Sequence, residues 1–394
     1  VFHNNQYSVM MAERLTHTKQ VENKRKSSFL YIDQDGFRAG VKTVVIFLIL
    51  MFGEVAIGLP GGGQVVFFAI LFGVIPNLGQ AFMKSRYGII GVVLGITFCF
   101  ISIMVISISP HFSIVIALYS LATFIAAYIA SSSKDIAVSG LQAGLLFPFG
   151  LLLTTGPNLD ISDAFTRFLA LFSAVFIGLI VQHLLWPTNP YSLLKEKISK
   201  SIRISGEIIS DLITLKTENE EKAQKLILPL AAVLPTSTQL LHDAEYVIRS
   251  NELHAEEIIH IIESIEFMYA DLETLNRTII QFKDKSSMED FITNLDSRYR
   301  QITELFEDVS GQFNSKHNFC DQINDLKTDI EEHVHEYRKE GSWRNFDPKD
   351  VENQVLVHTS MLSLLDSLYK ISSEIDKINQ NKILVQGALN PREA

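Results

Sequence analysis

The chain has 394 residues and a formal net charge of −10, from 34 Lys and Arg against 44 Asp and Glu, yet 47% of it is hydrophobic. The acidic balance, concentrated in the second half, argues against nucleic acid as a partner, which clustered positive charge would have to hold. Two cysteines, Cys99 and Cys320, imply no disulfide framework.

In chain order, residues 1–34 read as a cytoplasmic N-terminal segment carrying Lys19, Lys24, Arg25 and Lys26. No signal-peptide pattern follows Val1. The expectation is the end of a preceding region in a longer protein, or a true start elsewhere, for instance at Met10 or Met11. Residues 35–190 hold six apolar runs, near 39–59, 64–83, 87–109, 112–131, 136–156 and 164–187. A helix of about 20 apolar residues crosses the hydrocarbon core of a bilayer. From Tyr87 to Ser133 there is no Lys, Arg, Asp or Glu.

Basic residues in short loops mark the cytoplasmic face. Arg38 and Lys42 stand at the first run's entrance, Lys84 and Arg86 between the second and third, and Lys134 after the fourth. Lys195, Lys197, Lys200 and Arg203 follow the sixth, whereas the Gly61–Gly63 and Gly156–Asn158 turns carry no base. The prediction is six crossings with both ends cytoplasmic.

After Trp186-Pro187 the composition turns charged, and Thr188-Asn189-Pro190 serves as a linker. Residues 191–394 read as a cytoplasmic all-helical domain. Ile258, Ile265, Leu272 and Ile279 recur every seven residues, with Ile261, Met268 and Leu275 at the second seam position. Val357, Leu364, Ile371 and Ile378, with Met361, Leu368 and Ile375, do the same near the C-terminus. Seams of this kind pack against partner helices. Weaker helical stripes run through Phe291–Leu305 and Phe319–Ile330, and Gly341–Pro348 is the clearest loop. Pro229 and Pro235 are expected to bend or end a helix. Strand alternation is absent, so the fold class is all-α.

Charged groups within a membrane are costly and are functional candidates by default. Glu54, about one turn from the outer end of the first span, is either a proton or substrate site facing a cavity or an acid held near the interface. Arg167 either faces a cavity and draws anions or pairs with Asp163, one turn earlier on the same helix face. Pro76 and Pro148 each fall about twelve residues into a span, at matching positions of two three-helix halves. Interrupted helices so placed point to a transporter site between inverted repeats, against the plain alternative of kinks common in membrane helices. Pro76 would free the carbonyl of Phe72, and Pro148 that of Gly144. Gly88, Gly91 and Gly95 share one helix face and suit close packing. Glu257-Ile258-Ile259-His260 and Glu332-His333-Val334-His335 have the spacing of di-iron bundle ligands, but Glu257, His260 and His335 fall off the apolar seams, which argues against a metal. No Walker-type glycine loop is present. No cofactor, catalytic group or enzymatic activity is expected.

The membrane half resembles the fusaric-acid-resistance (FUSC) family, which includes aromatic-acid exporters and the inner-membrane subunit of a multidrug efflux system. The resemblance rests on Asp35-Gly36-Phe37-Arg38-Ala39-Gly40-Val41-Lys42, on Pro76-Asn77-Leu78-Gly79, and on Ser85-Arg86-Tyr87-Gly88-Ile89-Ile90-Gly91 with Gly95. It continues through Ala130-Ser131-Ser132-Ser133, Asp163-Ala164-Phe165-Thr166-Arg167 and Trp186-Pro187. It covers roughly residues 30–190 and implies the C-terminal unit of a two-unit protein, hence an oligomer or a pseudo-dimer with a further N-terminal unit. It further implies a bacterial inner-membrane exporter of small aromatic or organic acids or drugs, proton-driven, with a periplasmic adaptor and an outer-membrane channel. Arg38, Lys42, Asn77, Arg86 and Arg167 are the matching polar positions. Arg38, Lys42, Arg86 and Lys134 would concentrate anions at a cytoplasmic entrance, beyond their role in setting topology. The alternatives are a passive organic-anion channel and a membrane-anchored helical assembly module.

Overall fold

A computed structural model of the chain describes residues 34–57, 70, 74–109, 111–133, 136–152, 161–213, 217–248, 254–281, 285–315, 317–339, 341 and 346–389. Every regular element among them is helical. They divide into two compact units. The first holds the described residues of Phe29–Pro190 together with those of Asp243–Arg249, and the second holds those of Tyr191–His242 and Ser250–Ala394.

The first unit contains α1 (Gln34–Ile57), α2 (Leu78–Ile108), α3 (Phe112–Ser132), α4 (Ala137–Leu152) and α5 (Ile161–Leu184). Three segments, Gly36–Gly53, Leu78–Ile108 and Phe112–Ser132, are long and apolar enough to cross a membrane. Their exteriors point the same way: Ile108 is 84% and Phe112 78% exposed, and Phe52, Val55, Met104, Phe124 and Tyr128 also face outward. Large apolar side chains left outside over whole helices suit lipid, since water would disfavour them. These features suggest a membrane protein.

Glycine sets the packing inside this unit. Along α2, Ser85, Gly88, Gly91, Val92, Gly95 and Cys99 form a buried face. A Cβ on Gly91 would come within 2.5 Å of the Ser139 carbonyl oxygen, so α4 lies against bare backbone there. On its other side α4 meets α3: a Cβ on Gly140 would collide with the backbone of Ala126 and Ala130, and one on Gly144 would lie 3.1 Å from the Ala126 Cβ. Further along, Phe147 meets Tyr119 edge to face at 5.2 Å. The pairs 130/140, 126/144 and 119/147 make α3 and α4 antiparallel. The core between these helices is Ile46, Leu50, Val92, Cys99, Ile103, Phe147, Ala174 and Val175.

One expected boundary is wrong. The spans predicted at 64–83 and 87–109 do not meet at a loop through Lys84 and Arg86. Both residues lie in the 31-residue helix α2, which begins at Leu78. Residues 58–69 and 71–73 lie outside the described residues, and 74–77 are not helical. The sequence was misread because two basic residues look like a loop between apolar runs. At about 1.5 Å per residue, however, α2 runs roughly 46 Å, well beyond a core of about 30 Å. Its first turns can therefore carry charge outside the hydrocarbon.

The second unit contains α6 (Pro190–Ile213) from Tyr191 on, α7 (Thr217–Glu245) as far as His242, α8 (Ala255–Gln281), α9 (Lys285–Gly311), a 3₁₀ turn at Gln312–Asn314, α10 (Cys320–Lys339) and α11 (Pro348–Leu389). Both heptad seams are buried: Ile258, Ile261, Ile265, Met268, Leu272, Leu275 and Ile279 on α8, and Val357, Met361, Leu364, Leu368, Ile371, Ile375 and Ile378 on α11. The Ser363 hydroxyl on α11 donates to Asp271 Oδ2 on α8 at 2.6 Å. Glu257 on α8 also attracts the Lys377 ammonium on α11. These two pairs, 271/363 and 257/377, fix α8 and α11 as antiparallel. On α9, Ile292, Leu295, Tyr299, Ile302, Phe306 and Val309 are buried, and Gly206 on α6 packs against Phe306, whose Cβ would stand 2.8 Å from an added methyl.

Pro229 and Pro235 do not end a helix, because α7 continues through both. A proline forfeits one backbone hydrogen bond. Here the buried side chains Ile227, Leu230, Leu240 and Leu241 on the same helix outweigh that loss.

Two outcomes follow for the helical unit. Leu272→Ala or Leu368→Ala should each lower stability by about 2–5 kcal/mol, read by chemical denaturation followed by circular dichroism. Truncating exposed Phe267 should change little, and equal losses at all three sites would refute the seam. The second outcome concerns His358, whose imidazole is pushed down to about 4 from 6.5, first by burial and then by the Arg338 guanidinium. Its Nδ1 is buried with no partner among the described residues, beside a water-sized cavity lined by Tyr337, Arg338 and Gln354. Above pH 6.5 the ring is neutral in both folded and unfolded chains. As pH falls from 6.5 to about 4, only the unfolded chain takes up the proton, so stability falls with pH and the loss is complete below 4. His358→Gln should flatten that part of the melting-temperature profile, and an unchanged slope would show that the ring contributes nothing.

Candidate functional site: polar groups buried in the apolar unit

The N-terminus of α2 is built by Pro76-Asn77-Leu78-Gly79. A residue before proline is steered away from helical geometry, which keeps Ile75 out of any helix leading into Pro76. Asn77 is extended at φ −147° and ψ 164°, and its side-chain oxygen accepts from the Gln80 N–H at 2.9 Å. Asn77 is thus an N-cap. The Leu78 N–H donates to the Thr188 carbonyl at 3.1 Å.

Against this cap lies a carboxylate from 166 residues further on. Asn77 Nδ2 donates to Asp243 Oδ2 at 2.9 Å, and Gln80 Nε2 donates to the same oxygen at 3.1 Å. Asp243 is fully buried. Lys84, one turn beyond Gln80 on the same face, adds Coulombic attraction. Negative charge is favoured at the positive end of a helix dipole, and ionised acceptors make the stronger hydrogen bonds. Gly79 allows the approach, since any Cβ there would overlap the Asp243 carbonyl.

Pro76 stands exposed in the non-helical stretch 74–77, directly before the capped helix. Pro148 lies inside α4, which continues past it to Leu152. Pro76 thus precedes a helix start, whereas Pro148 lies within a helix. Phe72, whose carbonyl Pro76 was expected to free, lies outside the described residues.

A second buried polar pair joins α1 to the end of α5. Lys42 Nζ donates to Gln182 Oε1 at 2.8 Å, with a longer contact of 3.4 Å to the Trp186 carbonyl. Lys42 is 5% exposed. Trp186 holds a φ of +46°, a left-handed conformation disfavoured for a bulky residue, in the turn that presents this carbonyl. Arg38 lies half-buried one turn before Lys42, and Arg86 is exposed on α2. Glu54, Pro148 and Arg167 fall within α1, α4 and α5, but their side chains, like that of Asp163, lie outside the described residues, as does Lys134 altogether.

A third polar group lies between α2 and α4. Ser139 Oγ donates to the Tyr87 carbonyl at 2.7 Å. Gln142 is 4% exposed, and its amide lies 3.0 Å from where a Gly88 Cβ would stand. Neither Gln142 Oε1, Gln142 Nε2 nor the Ser85 hydroxyl has a hydrogen-bond partner among the described residues.

Sequence reasoning missed Gln142 and Gln182, although a lone amide within an apolar run is a readable signal. It also missed Gln80, which with Asn77 has the spacing of a capping box. Asp243 gave no signal, being one acid among many in a charged region. In the helical unit, His260 is exposed and contacts Glu263 at 3.3 Å. Among the described residues no three His, Cys, Asp or Glu side chains converge as a metal site would require. The chain matches no protein-family model and no curated protein.

The Asn77–Asp243 contact can be tested by charge. Asn77→Asp keeps a good cap but sets one carboxylate against another, and should cost about 2 kcal/mol or more. Adding Asp243→Asn should recover most of the loss, read as melting temperature in detergent. A double variant no better than the single would show that the two side chains do not interact.

Proposed function

We propose that this chain is a membrane component of an export system for small aromatic or organic acids or drugs. It lies in a bacterial inner membrane with both ends cytoplasmic, is driven by the proton gradient, and works with a periplasmic adaptor and an outer-membrane channel. The observation that carries the reading is the burial of Lys42, Gln182, Asp243 and Gln142 inside a unit whose exterior is apolar. Polar groups are costly in such surroundings and are retained where something polar must pass or be held. The resemblance of residues 30–190 to the fusaric-acid-resistance family supports the substrate class.

Six crossings require the chain to return once between Ile57 and Leu78 and then to use α2, α3, α4 and α5 in alternation. The cytoplasmic placement of Lys84 and Arg86 agrees with a long α2 that starts on the inner side. On the same resemblance, the chain is the C-terminal unit of a two-unit or oligomeric assembly. The helical unit, with its buried α8–α11 seam, then serves as a rigid cytoplasmic body.

The test is flux in proteoliposomes containing the full chain. Outward-directed benzoate or salicylate transport should collapse when the proton gradient is dissipated. Glu54→Gln should abolish coupling, and Arg167→Ala should lower anion flux while leaving protein yield unchanged. Flux that ignores the proton gradient and follows membrane potential would make the protein a passive anion channel. Absence of any flux, with a partner captured by the helical unit, would make it an assembly module. Deleting residues 191–394 is a poor version of this test, because Asp243–Arg249 belongs to the membrane unit.

A further inference from the structure

The α2–α4 interface contains an unsatisfied polar group beside the close approach of Gly91 to the Ser139 backbone. Gln142 reaches from α4 onto the glycine face of α2, its Oε1 3.0 Å and its Nε2 3.2 Å from the position of a Gly88 Cβ. Ser85 lies one turn earlier on that face, in the direction in which a helical Cβ at position 88 would tilt. Gln142 and Ser85 are each 4% exposed, and three of their polar atoms are unpaired among the described residues. The neighbouring Ser139 hydroxyl is already committed to the Tyr87 carbonyl.

We propose that Gln142 and Ser85 form a binding subsite for an uncharged O–H group, either water or the protonated carboxyl of an acid. The chemistry of the two side chains selects this class. A primary amide offers two donors and a carbonyl acceptor, and a hydroxyl offers one donor and accepts as well. A ligand that both donates and accepts satisfies them together. A carboxylate anion would leave Gln142 Oε1 facing lone pairs, and an ammonium would leave the Nε2 donors idle. A protonated carboxyl pairs with a primary amide in a ring, its O–H donating to Oε1 and its carbonyl accepting from Nε2. Gly88 makes room for the Gln142 amide, since a side chain there would press on it. The acid-binding arm rests on the export reading above, whereas the water arm does not.

The experiment is a structure of the full chain in lipid nanodiscs, resolved finely enough to show ordered water, without and with benzoic acid at pH 4.5. Density in hydrogen-bond range of both the Gln142 amide and the Ser85 hydroxyl is expected. Density unchanged by benzoic acid identifies water, and its replacement by a planar acid identifies substrate. Ser85→Ala should weaken the density while leaving Gln142 in place, a control in case Gln142→Leu does not fold. In proteoliposomes either variant should slow benzoate flux about tenfold. A Gln142 amide that pairs only with protein atoms, with no density beside it, overturns the proposal. So does a Gln142→Leu chain with a higher melting temperature and the same ligand density. If no variant or wild-type chain carries flux, the export reading fails and the density still decides this one.

Discussion

The first unit depends on how closely other backbone can approach α2. Two kinds of contact achieve it. At its start, Gly79 admits the Asp243 main chain while Asn77 and Gln80 take the carboxylate. Further along, Gly88 and Gly91 admit α4. Between lipid-facing helices there is little hydrophobic gain from association, because the tails are as apolar as the side chains. Close van der Waals contact and hydrogen bonds must therefore do the work, and both require small residues at the crossing. A single β-carbon at residue 79 or 91 would collide with the backbone of Asp243 or Ser139.

The second unit uses a different physics. Its helices bury continuous aliphatic seams from water, and α8 with α11 does so over seven layers each. Here area removed from water stabilises the pair, and polar contacts such as Ser363 to Asp271 fix register at the edge. Burial raises the Asp271 carboxyl above its usual range, and the Ser363 hydrogen bond opposes that shift. The contact thus adds order more than energy.

What the sequence revealed follows this division. The heptad seams were readable residue by residue, since spacing alone decides which side chains face a partner. The apolar character of α1, α2 and α3 was equally plain. The start of α2 was not, because Lys84 and Arg86 mimic a loop and the helix exceeds the membrane thickness. Pro76-Asn77-Leu78-Gly79 stood out as a break. Its meaning as a cap was hidden, because half of the site is Asp243, 166 residues away in a stretch with no distinguishing pattern. Lys42 was recognised as a charge at a helix entrance, but its burial against Gln182 depends on a helix 140 residues away. Long-range pairing of polar groups has no local periodicity, and a single sequence offers nothing else to read.

The buried polar groups also bear on how such a unit could work. Lys42 with Gln182, and Asp243 with Asn77 and Gln80, are satisfied by protein, so each holds helices together at modest net gain and would be expensive to break. Gln142 and Ser85 differ in having no such partner among the described residues. A satisfied pair resists the entry of a competing ligand, because the ligand must first replace bonds already made. An unsatisfied amide gains a bond from the same ligand without losing one. Of the three polar places among the described residues of this unit, the α2–α4 interface is therefore the one where a passing molecule meets the lowest cost, while the other two serve to keep the helices in place around it.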